Sequence, residues 1–235
     1  MPTGVTSTER RAVIEAAPAA DLVVGADGLN SVVRQGRGFE PRIELLGNRF
    51  VWYGTAQRFD CLTLTFRESG HGAFVAHHYR YSPAMSTFLV EFDARTWTSA
   101  GLDRMDDAQS RAYCERVFAA DLGGHALVSN KSLWRQFPLL SNQRWSVGNA
   151  VLIGDALRSM HFSIGSGTRL AFEDAIALDR VLSEDIPATL AAYERERRPV
   201  VEKLFAAASA SSYWYERFPE RMQRFDALGL AYDYM

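Results

Sequence analysis

Val151-Leu-Ile-Gly-Asp-Ala-Leu-Arg-Ser-Met-His-Phe-Ser-Ile-Gly-Ser-Gly-Thr168, followed at once by Arg169-Leu-Ala-Phe-Glu-Asp-Ala-Ile-Ala-Leu178, decides how this chain is read. Val151, Leu152 and Ile153 form a short apolar run of the kind buried on both faces of an α/β sheet, and Gly154 ends it. Asp155 then stands at the carboxyl end of that strand, where open α/β sheets place their ligands, and its carboxylate can accept hydrogen bonds from sugar-like hydroxyls. Gly165 and Gly167 permit positive φ and a close approach of backbone to a ligand. A helix that begins near Gly167 or Thr168 turns its free N–H groups and its dipole back on the loop, a favourable place for a phosphate or another electron-rich group. The same spacing also describes a tight connection whose Asp only caps a turn, and these residues alone leave both readings open.

A second stretch, Asp21-Leu-Val-Val-Gly-Ala-Asp-Gly-Leu-Asn-Ser-Val-Val-Arg34, follows the same grammar: an apolar strand breaks at Gly25 and delivers Asp27 and Gly28. A short helix after Gly28 puts Ser31 and Arg34 on one face. There a hydroxyl and a guanidinium either hold a phosphate or lock the loop, and a surface or structural Arg is the plainer alternative.

Together the two stretches resemble the second and third sequence signatures of the single-component FAD-dependent aromatic hydroxylases, the p-hydroxybenzoate hydroxylase type. Gly25, Ala26, Asp27, Gly28, Ser31, Val33 and Arg34 match G-A-D-G-x-x-S-x-V-R, and Gly154, Asp155 and Ala156 match G-D-A. Glu173, Asp174 and Ala175 continue the family's helix. The resemblance implies an α/β (α+β) fold, with a partial FAD-binding Rossmann-like domain, an antiparallel substrate-domain sheet and C-terminal helices. It implies FAD and NAD(P)H as cofactors, Asp155 on the ribityl chain, and Gly165, Ser166, Gly167 and Thr168 near the isoalloxazine ring. Asp27, Gly28, Ser31 and Arg34 fall on the pyrophosphate or nicotinamide side, and Gly154 and Arg158 complete the candidate cofactor-binding set. In such enzymes NAD(P)H reduces the flavin, O₂ adds to give a C4a-hydroperoxide, and the distal oxygen passes to an electron-rich ring. No side chain need act as nucleophile. His161 is the one candidate catalytic residue, as a donor to the flavin edge or the substrate, with anchoring of the loop as the alternative.

Arg158 and Phe162 stand where the superfamily usually has His and Pro. His161-Phe-Ser-Ile-Gly-Ser-Gly-Thr168 is similar to the subgroup acting on aromatic acyl-CoA thioesters, the salicylyl-CoA 5-hydroxylase and anthraniloyl-CoA monooxygenase group. The tryptophan-derived hydroxylases of violacein-type pathways share a similar H-F-S-I-G. The implied partners are O₂ and a small aromatic or aromatic acyl-CoA substrate, with a tryptophan-derived indole as the alternative. The family's first signature, G-x-G-x-x-G on an N-terminal βαβ unit, has no counterpart here; Gly36-Arg-Gly38 lacks the third Gly and the preceding strand. The chain therefore reads as an N-terminally truncated fragment of a monooxygenase. The alternative is a non-catalytic remnant or binding partner unable to hold FAD alone.

The expected domains are 1–41, a partial FAD/NAD(P)H-binding domain; 42–147, the substrate domain; and 148–235, a return to the FAD-binding domain followed by C-terminal helices. Alternation places strands at Arg49 to Ala56, Leu62 to Glu68, Ala73 to Tyr81 and Ser86 to Phe92, and an amphipathic helix over Asp106 to Leu122. Trp134 to Phe137 and Arg144 to Val147 read as returning strands. Pro199 kinks the C-terminal helix or starts a new one. Trp214, Tyr215, Phe218 and Phe225 form an apolar patch that, left uncovered, offers an association surface for a homo-oligomer. Phe50, Trp52, Tyr53, Phe74, Tyr79 and Phe88 either line a flat aromatic pocket or make ordinary core. His77 and His78, adjacent on a strand, point to opposite faces and do not share a metal ion, so no metal is expected.

The 235 residues, 47% of them hydrophobic, permit a sizeable core in one or two domains. A net charge of −2 gives no basic field for nucleic acid or anionic membrane. Cys61 and Cys114, far apart and without metal spacing, fit a reducing cytoplasm and read as small packed apolar residues. No run reaches transmembrane length, and the N-terminus lacks a signal-peptide core.

Overall fold

Two apolar runs that end in Gly and an acid become neighbouring parallel strands. The computed structural model describes residues 20–235. In chain order its elements are β1 (Val23–Gly25), α1 (Val32–Gln35), β2 (Pro41–Leu45), β3 (Arg49–Thr55), β4 (Thr63–Ser69), β5 (Gly72–Arg80), β6 (Ser86–Phe92), α2 (Ala94–Ser99), α3 (Asp107–Val117) and α4 (Ala119–Leu122). Then follow β7 (Leu127–Val128), β8 (Pro138–Asn142), β9 (Ser146–Val147), β10 (Ala150–Leu152), α5 (Gly154–Leu157), α6 (Gly167–Val181), α7 (Ile186–Tyr215), α8 (Phe218–Arg224) and α9 (Ala227–Tyr234). The fold is mixed α/β. One unit comprises residues up to Glu44 with Pro138–Ser212, and the other Leu45–Phe137 with Tyr213–Met235. The expected boundary between 147 and 148 falls inside the first unit, because β9 pairs with β10 there. The residues after Ser212 group with the sheet of the second unit.

In the first unit β1 pairs in parallel with β10, Val23 opposite Ala150 and Gly25 opposite Leu152, and β9 pairs antiparallel on the far side of β10. Ala150, Val151 and Leu152 are fully buried, as a strand covered on both faces requires. Helix α6 turns Leu170, Asp174, Ala177 and Leu178 inward, the i, i+4, i+7, i+8 stripe of an amphipathic helix. Leu190, Tyr193 and Val201 of α7 join the same core. That helix runs unbroken through Pro199, so neither a restart nor a second helix occurs. The reason is tertiary: Tyr193 and Val201 are anchored on either side of the proline, and Arg198 bridges Glu194 (Nε to Oε1, 2.9 Å) and Glu202 (Nη1 to Oε1, 3.0 Å) across it.

The second unit carries a five-stranded antiparallel sheet in the order β4-β5-β6-β3-β7. Its four long strands lie within a residue of the positions that alternation predicts. Period 2 sends Val51, Tyr53, Phe74, Ala76, Phe88, Val90 and Phe92 to one face, against Tyr113, Cys114 and Phe118. The opposite face buries Ala73 and Val75 beneath Trp214, Tyr215, Phe218 and Leu230. The apolar patch expected from the C-terminal aromatics is therefore covered within this unit. Glu216 closes the contact: its carboxylate accepts from the Gly47 and Asn48 amides, both at 2.8 Å. Burial raises the Glu216 pKa against the pull of those two amides. Asn48 Nδ2 in turn donates to Glu91 Oε1 at 2.8 Å.

Several expectations need correction. The helix expected over Asp106 to Leu122 is broken at Phe118, whose φ of −106° and ψ of 24° leave the helical well, so α3 and α4 are separate. Trp134 to Phe137 makes only a single bridge, Arg135 to Phe50, and the Arg144 to Val147 strand shrinks to β9. The strand that does form is β8, which pairs with β2. Cys114 is buried as expected, but Cys61 is exposed, because it sits in the bend before β4 rather than on an inward position. Among the described residues no helix is long and apolar enough to cross a membrane.

His77 and His78 do point to opposite faces. His77 lies tilted against Tyr215 with ring centroids 5.0 Å apart, and His78 stacks on Phe88 at 5.3 Å. Burial pushes the His78 pKa from 6.5 down to about 4. Between those values the unfolded chain binds a proton that the folded chain refuses, so stability falls as pH drops through this window, by up to about 2 kcal/mol after allowance for solvent screening. His78→Phe, which keeps the stacking, is expected to flatten the dependence of the melting temperature on pH between about 7 and 4.5. An unchanged slope in a thermal scan series would show that His78 does not control it.

Candidate functional site

The parallel pairing of β1 and β10 brings both acid-bearing turns to one sheet edge. Strands so paired lie about 4.8 Å apart and leave the sheet in the same direction, so Asp27 and Asp155 emerge side by side at the carboxyl ends. Both acids are exposed. Asp27 Oδ2 accepts from the Val32 amide at 2.7 Å and so caps α1. The Asp155 carboxylate has no hydrogen-bond partner among the described residues. Gly154, which aims it, has φ +57°, and a Cβ there would meet the Ala171 Cβ at 3.2 Å, so both conformation and space favour glycine.

Ser31 and Arg34 turn inward. Ser31 Oγ accepts from the Arg34 amide at 3.0 Å, and the Arg34 guanidinium donates from Nη1 to Ala156 O at 2.8 Å and from Nη2 to Leu29 O. Burial lowers the pKa of this guanidinium, and the nearby Asp27 carboxylate opposes the shift. Of the two roles open to the pair, locking the loop is the one these contacts perform. Arg34 thereby ties the Asp27 turn to the Asp155 turn.

A buried ion network braces the second turn from behind. Asp174, fully buried on α6, accepts from the Gly154 amide at 3.1 Å, from Arg158 Nη1 at 2.5 Å and from Arg197 Nε at 3.1 Å. Arg197 Nη2 also reaches Glu173 Oε2 at 3.0 Å. Arg158 is thus a buried ion-pair partner of Asp174. In the sequence Glu173-Asp174 reads only as family helix, which misses the network; an acid on a stripe otherwise apolar at helical spacing is its signal.

The loop from His161 to Thr168 completes the site. His161 is buried, its ring lies tilted against Phe162 with centroids 4.0 Å apart, and its Nδ1 accepts from the Ser163 amide at 3.4 Å. Ser163 Oγ accepts from Ser211 Oγ at 2.8 Å. Gly165 has φ +60°, and a Cβ added there, as at Gly28 or Gly167, would meet no heavy atom within 4 Å, so the backbone is open to close approach. Helix α6 starts at Gly167 without a side-chain cap, and the Ser166 hydroxyl donates to Ile164 O at 3.2 Å instead. Free N–H groups at Gly167, Thr168 and Arg169 therefore present the positive end of a fifteen-residue helix.

In the second unit the aromatic set divides. Tyr53, Phe74 and Phe88 are core, whereas Trp52 (48% exposed) and Tyr79 (37% exposed) stand on the opposite face of the sheet, two register positions apart on either side of β6. Among the described residues no group of three or more His, Cys, Asp or Glu side chains is placed to hold a metal ion.

Comparison with known proteins agrees with this geometry. The FAD binding domain family matches residues 5–208. The salicyloyl-CoA 5-hydroxylase of a Streptomyces species is 42% identical over 220 residues, covering 88% of this chain and 43% of that protein. The protodeoxyviolaceinate monooxygenase of Chromobacterium violaceum is 43% identical over 206 residues, covering 86% of this chain and 55% of that protein. The chain spans about half the length of the curated relatives it matches. The fold is shared with 2-methyl-3-hydroxypyridine-5-carboxylic acid oxygenase, at a TM-score of 0.68 and 17% identity over 84% of this chain and 56% of that one. It is shared also with Pseudomonas aeruginosa PqsL, at a TM-score of 0.64 and 23% identity over 83% of this chain and 56% of that one. Paired acid turns on adjacent parallel strands, an uncapped helix start and these likenesses converge: the chain belongs to the FAD-binding-domain family of flavoprotein aromatic monooxygenases.

Proposed function

We propose that this chain forms the ribityl and ring side of an FAD site, together with the substrate sheet, of an NAD(P)H-dependent monooxygenase that hydroxylates an aromatic acyl thioester. The observation that carries the reading is the unpartnered Asp155 carboxylate beside the uncapped start of α6. A flavin suits these groups: its ribityl hydroxyls need acceptors, its electron-rich ring edge suits free amides, and its flat ring needs a wall without side chains. FAD, reduced by NAD(P)H, supplies the activation of O₂.

The residues supply binding and placement. Asp155 accepts hydrogen bonds from hydroxyls; Gly165, Ser166, Gly167 and Thr168 admit the ring and oppose negative charge with their amides. Asp27 and Gly28 border the pyrophosphate or nicotinamide side, where Ser31 and Arg34 hold the turn in shape. Asp174, Arg158 and Arg197 keep the Asp155 turn from shifting, a stiffness that matters because small misplacements of a reacting group are costly. Trp52 and Tyr79 offer an aromatic substrate ring an apolar, π-rich surface. The acyl-thioester assignment is supported by the identity with salicyloyl-CoA 5-hydroxylase, and the violacein-type relative supports an indole as the second candidate.

The test is to purify the chain with FAD and record its visible spectrum and its NAD(P)H oxidation. A retained flavin band and oxidation stimulated by salicyloyl-CoA or anthraniloyl-CoA are the expected results; a colourless chain that leaves NAD(P)H untouched would favour the non-catalytic alternative. Trp52→Ala is expected to raise KM for the aromatic substrate about tenfold with kcat little changed, the scale of one lost aromatic contact of roughly 1.4 kcal/mol. An unchanged KM would remove Trp52 from the substrate surface.

A further inference from the structure

The sheet face that carries Trp52 and Tyr79 contains a glycine that the fold does not require. Gly54 of β3 pairs with Thr87 of β6 on one side and with Val128 of β7 on the other. Its φ lies outside the left-handed region, and the nearest atom to an added Cβ is the flexible end of a side chain, Met85 Cε at 3.3 Å. A glycine between two paired strands gives up packing and chain entropy, and such positions often mark the close approach of a ligand. Beside it, Thr87 is 6% exposed, and its hydroxyl has no hydrogen-bond partner among the described residues. That oxygen is not one of the fully enclosed unpartnered polar atoms, so it keeps accessible surface.

Residues paired across strands share a face, and Thr87 pairs with both Gly54 and Tyr79, so its side chain stands on the face of Trp52 and Tyr79. Val128, Gly54, Thr87 and Tyr79 therefore form one row across β7, β3, β6 and β5. Strand spacing separates Val128 from Tyr79 by about 14 Å, with only a glycine and a short hydroxyl side chain between them. Trp52 bounds this floor in the next row one way and Met85 in the next row the other, which leaves the breadth of a single aromatic ring. None of the six residues is charged, so the polar contact offered to a ligand is a neutral hydrogen bond at Thr87 Oγ1. Such a contact suits a hydroxyl or amino group on the ring and disfavours a ring carboxylate.

We infer that Gly54 and Thr87 determine which ring this sheet accepts: Gly54 leaves the space in which the ring lies, and the Thr87 hydroxyl hydrogen-bonds a hydroxyl or amino substituent on it. The inference rests on the proposed reading of this face as the substrate surface.

Calorimetric titration of the full chain, supplied with FAD, with salicyloyl-CoA and with benzoyl-CoA tests the inference, because the two thioesters differ by one ring hydroxyl. Salicyloyl-CoA is expected to bind about three- to tenfold more tightly, the range of one net hydrogen bond. Thr87→Val removes the hydroxyl and is expected to weaken salicyloyl-CoA until the two Kd values agree within about twofold, with benzoyl-CoA little changed. Thr87→Ser should keep the preference. Gly54→Ala is expected to weaken both thioesters about fivefold or more without lowering the melting temperature, since alanine adopts this strand conformation without strain. Equal wild-type affinities, a preference that Thr87→Val leaves in place, or equal weakening of both thioesters by that variant would overturn the role of Thr87. A lowered melting temperature or unchanged affinities in Gly54→Ala would make Gly54 a glycine of the fold. A wild-type chain that binds neither thioester would overturn the substrate reading and this inference with it, whereas binding without preference would leave that reading standing.

Discussion

Asp174→Ala is expected to destabilise the first unit by about 3–5 kcal/mol, the cost of breaking a buried ion pair from one side. The carboxylate is fully buried and receives Arg158, Arg197 and the Gly154 amide. Its removal leaves two guanidiniums in a low-dielectric core with one fewer acceptor each, and deprives Gly154 of its partner. Arg197 retains Glu173, at 3.0 Å, so Arg158 bears most of the loss. Asp174→Asn keeps an acceptor for Gly154 but no charge, and an intermediate loss is expected. Urea denaturation of the variants measures this; a loss below about 1 kcal/mol for the alanine variant would show that both arginines relax to solvent and that the network does not brace the turn.

Asp155→Ala is expected to weaken FAD binding by at least tenfold, about 1.4 kcal/mol, while leaving the melting temperature in place. The two halves of that expectation have one source. An exposed carboxylate without a partner among the described residues contributes nothing to the fold that its loss can remove, whereas a ligand hydroxyl would lose a charged acceptor. Asp155→Asn should fall between, since an amide oxygen accepts more weakly than a carboxylate. Fluorescence titration with FAD checks the first half and a thermal melt the second. Unchanged affinity would take Asp155 out of the flavin site.

What the residues reveal on their own follows from the range of the forces involved. The strands before Gly25 and Gly154 are legible because burial on both faces demands an apolar run and a glycine-acid break ends it. The long strands of the second unit are legible because a half-buried sheet writes period 2 into the chain. The same alternation, read with register, separates Trp52 and Tyr79 from Tyr53, Phe74 and Phe88, although the aromatic residues alone leave the two roles open. Other features depend on partners that local pattern does not contain. Ser31 and Arg34 keep two readings until Ala156 O, 122 residues away, is seen to accept from the guanidinium. Asp174 meets Arg158 and Arg197 from 16 and 23 residues away. Pro138-Leu-Leu-Ser-Asn142 has no alternation, and it becomes a strand only because β2 lies beside it. Pro199 argues locally for a break, and the core contacts on both sides of it prevail.

Hydrogen exchange of the chain with and without saturating FAD reads both acid turns and the start of α6 in one experiment. If the paired acid turns and the start of α6 hold the flavin, protection should rise at the amides following Asp27 and Asp155 and across Gly165 to Arg169, with β4 and β5 unchanged. Unaltered exchange at both turns and at the α6 start under saturating FAD would contradict it.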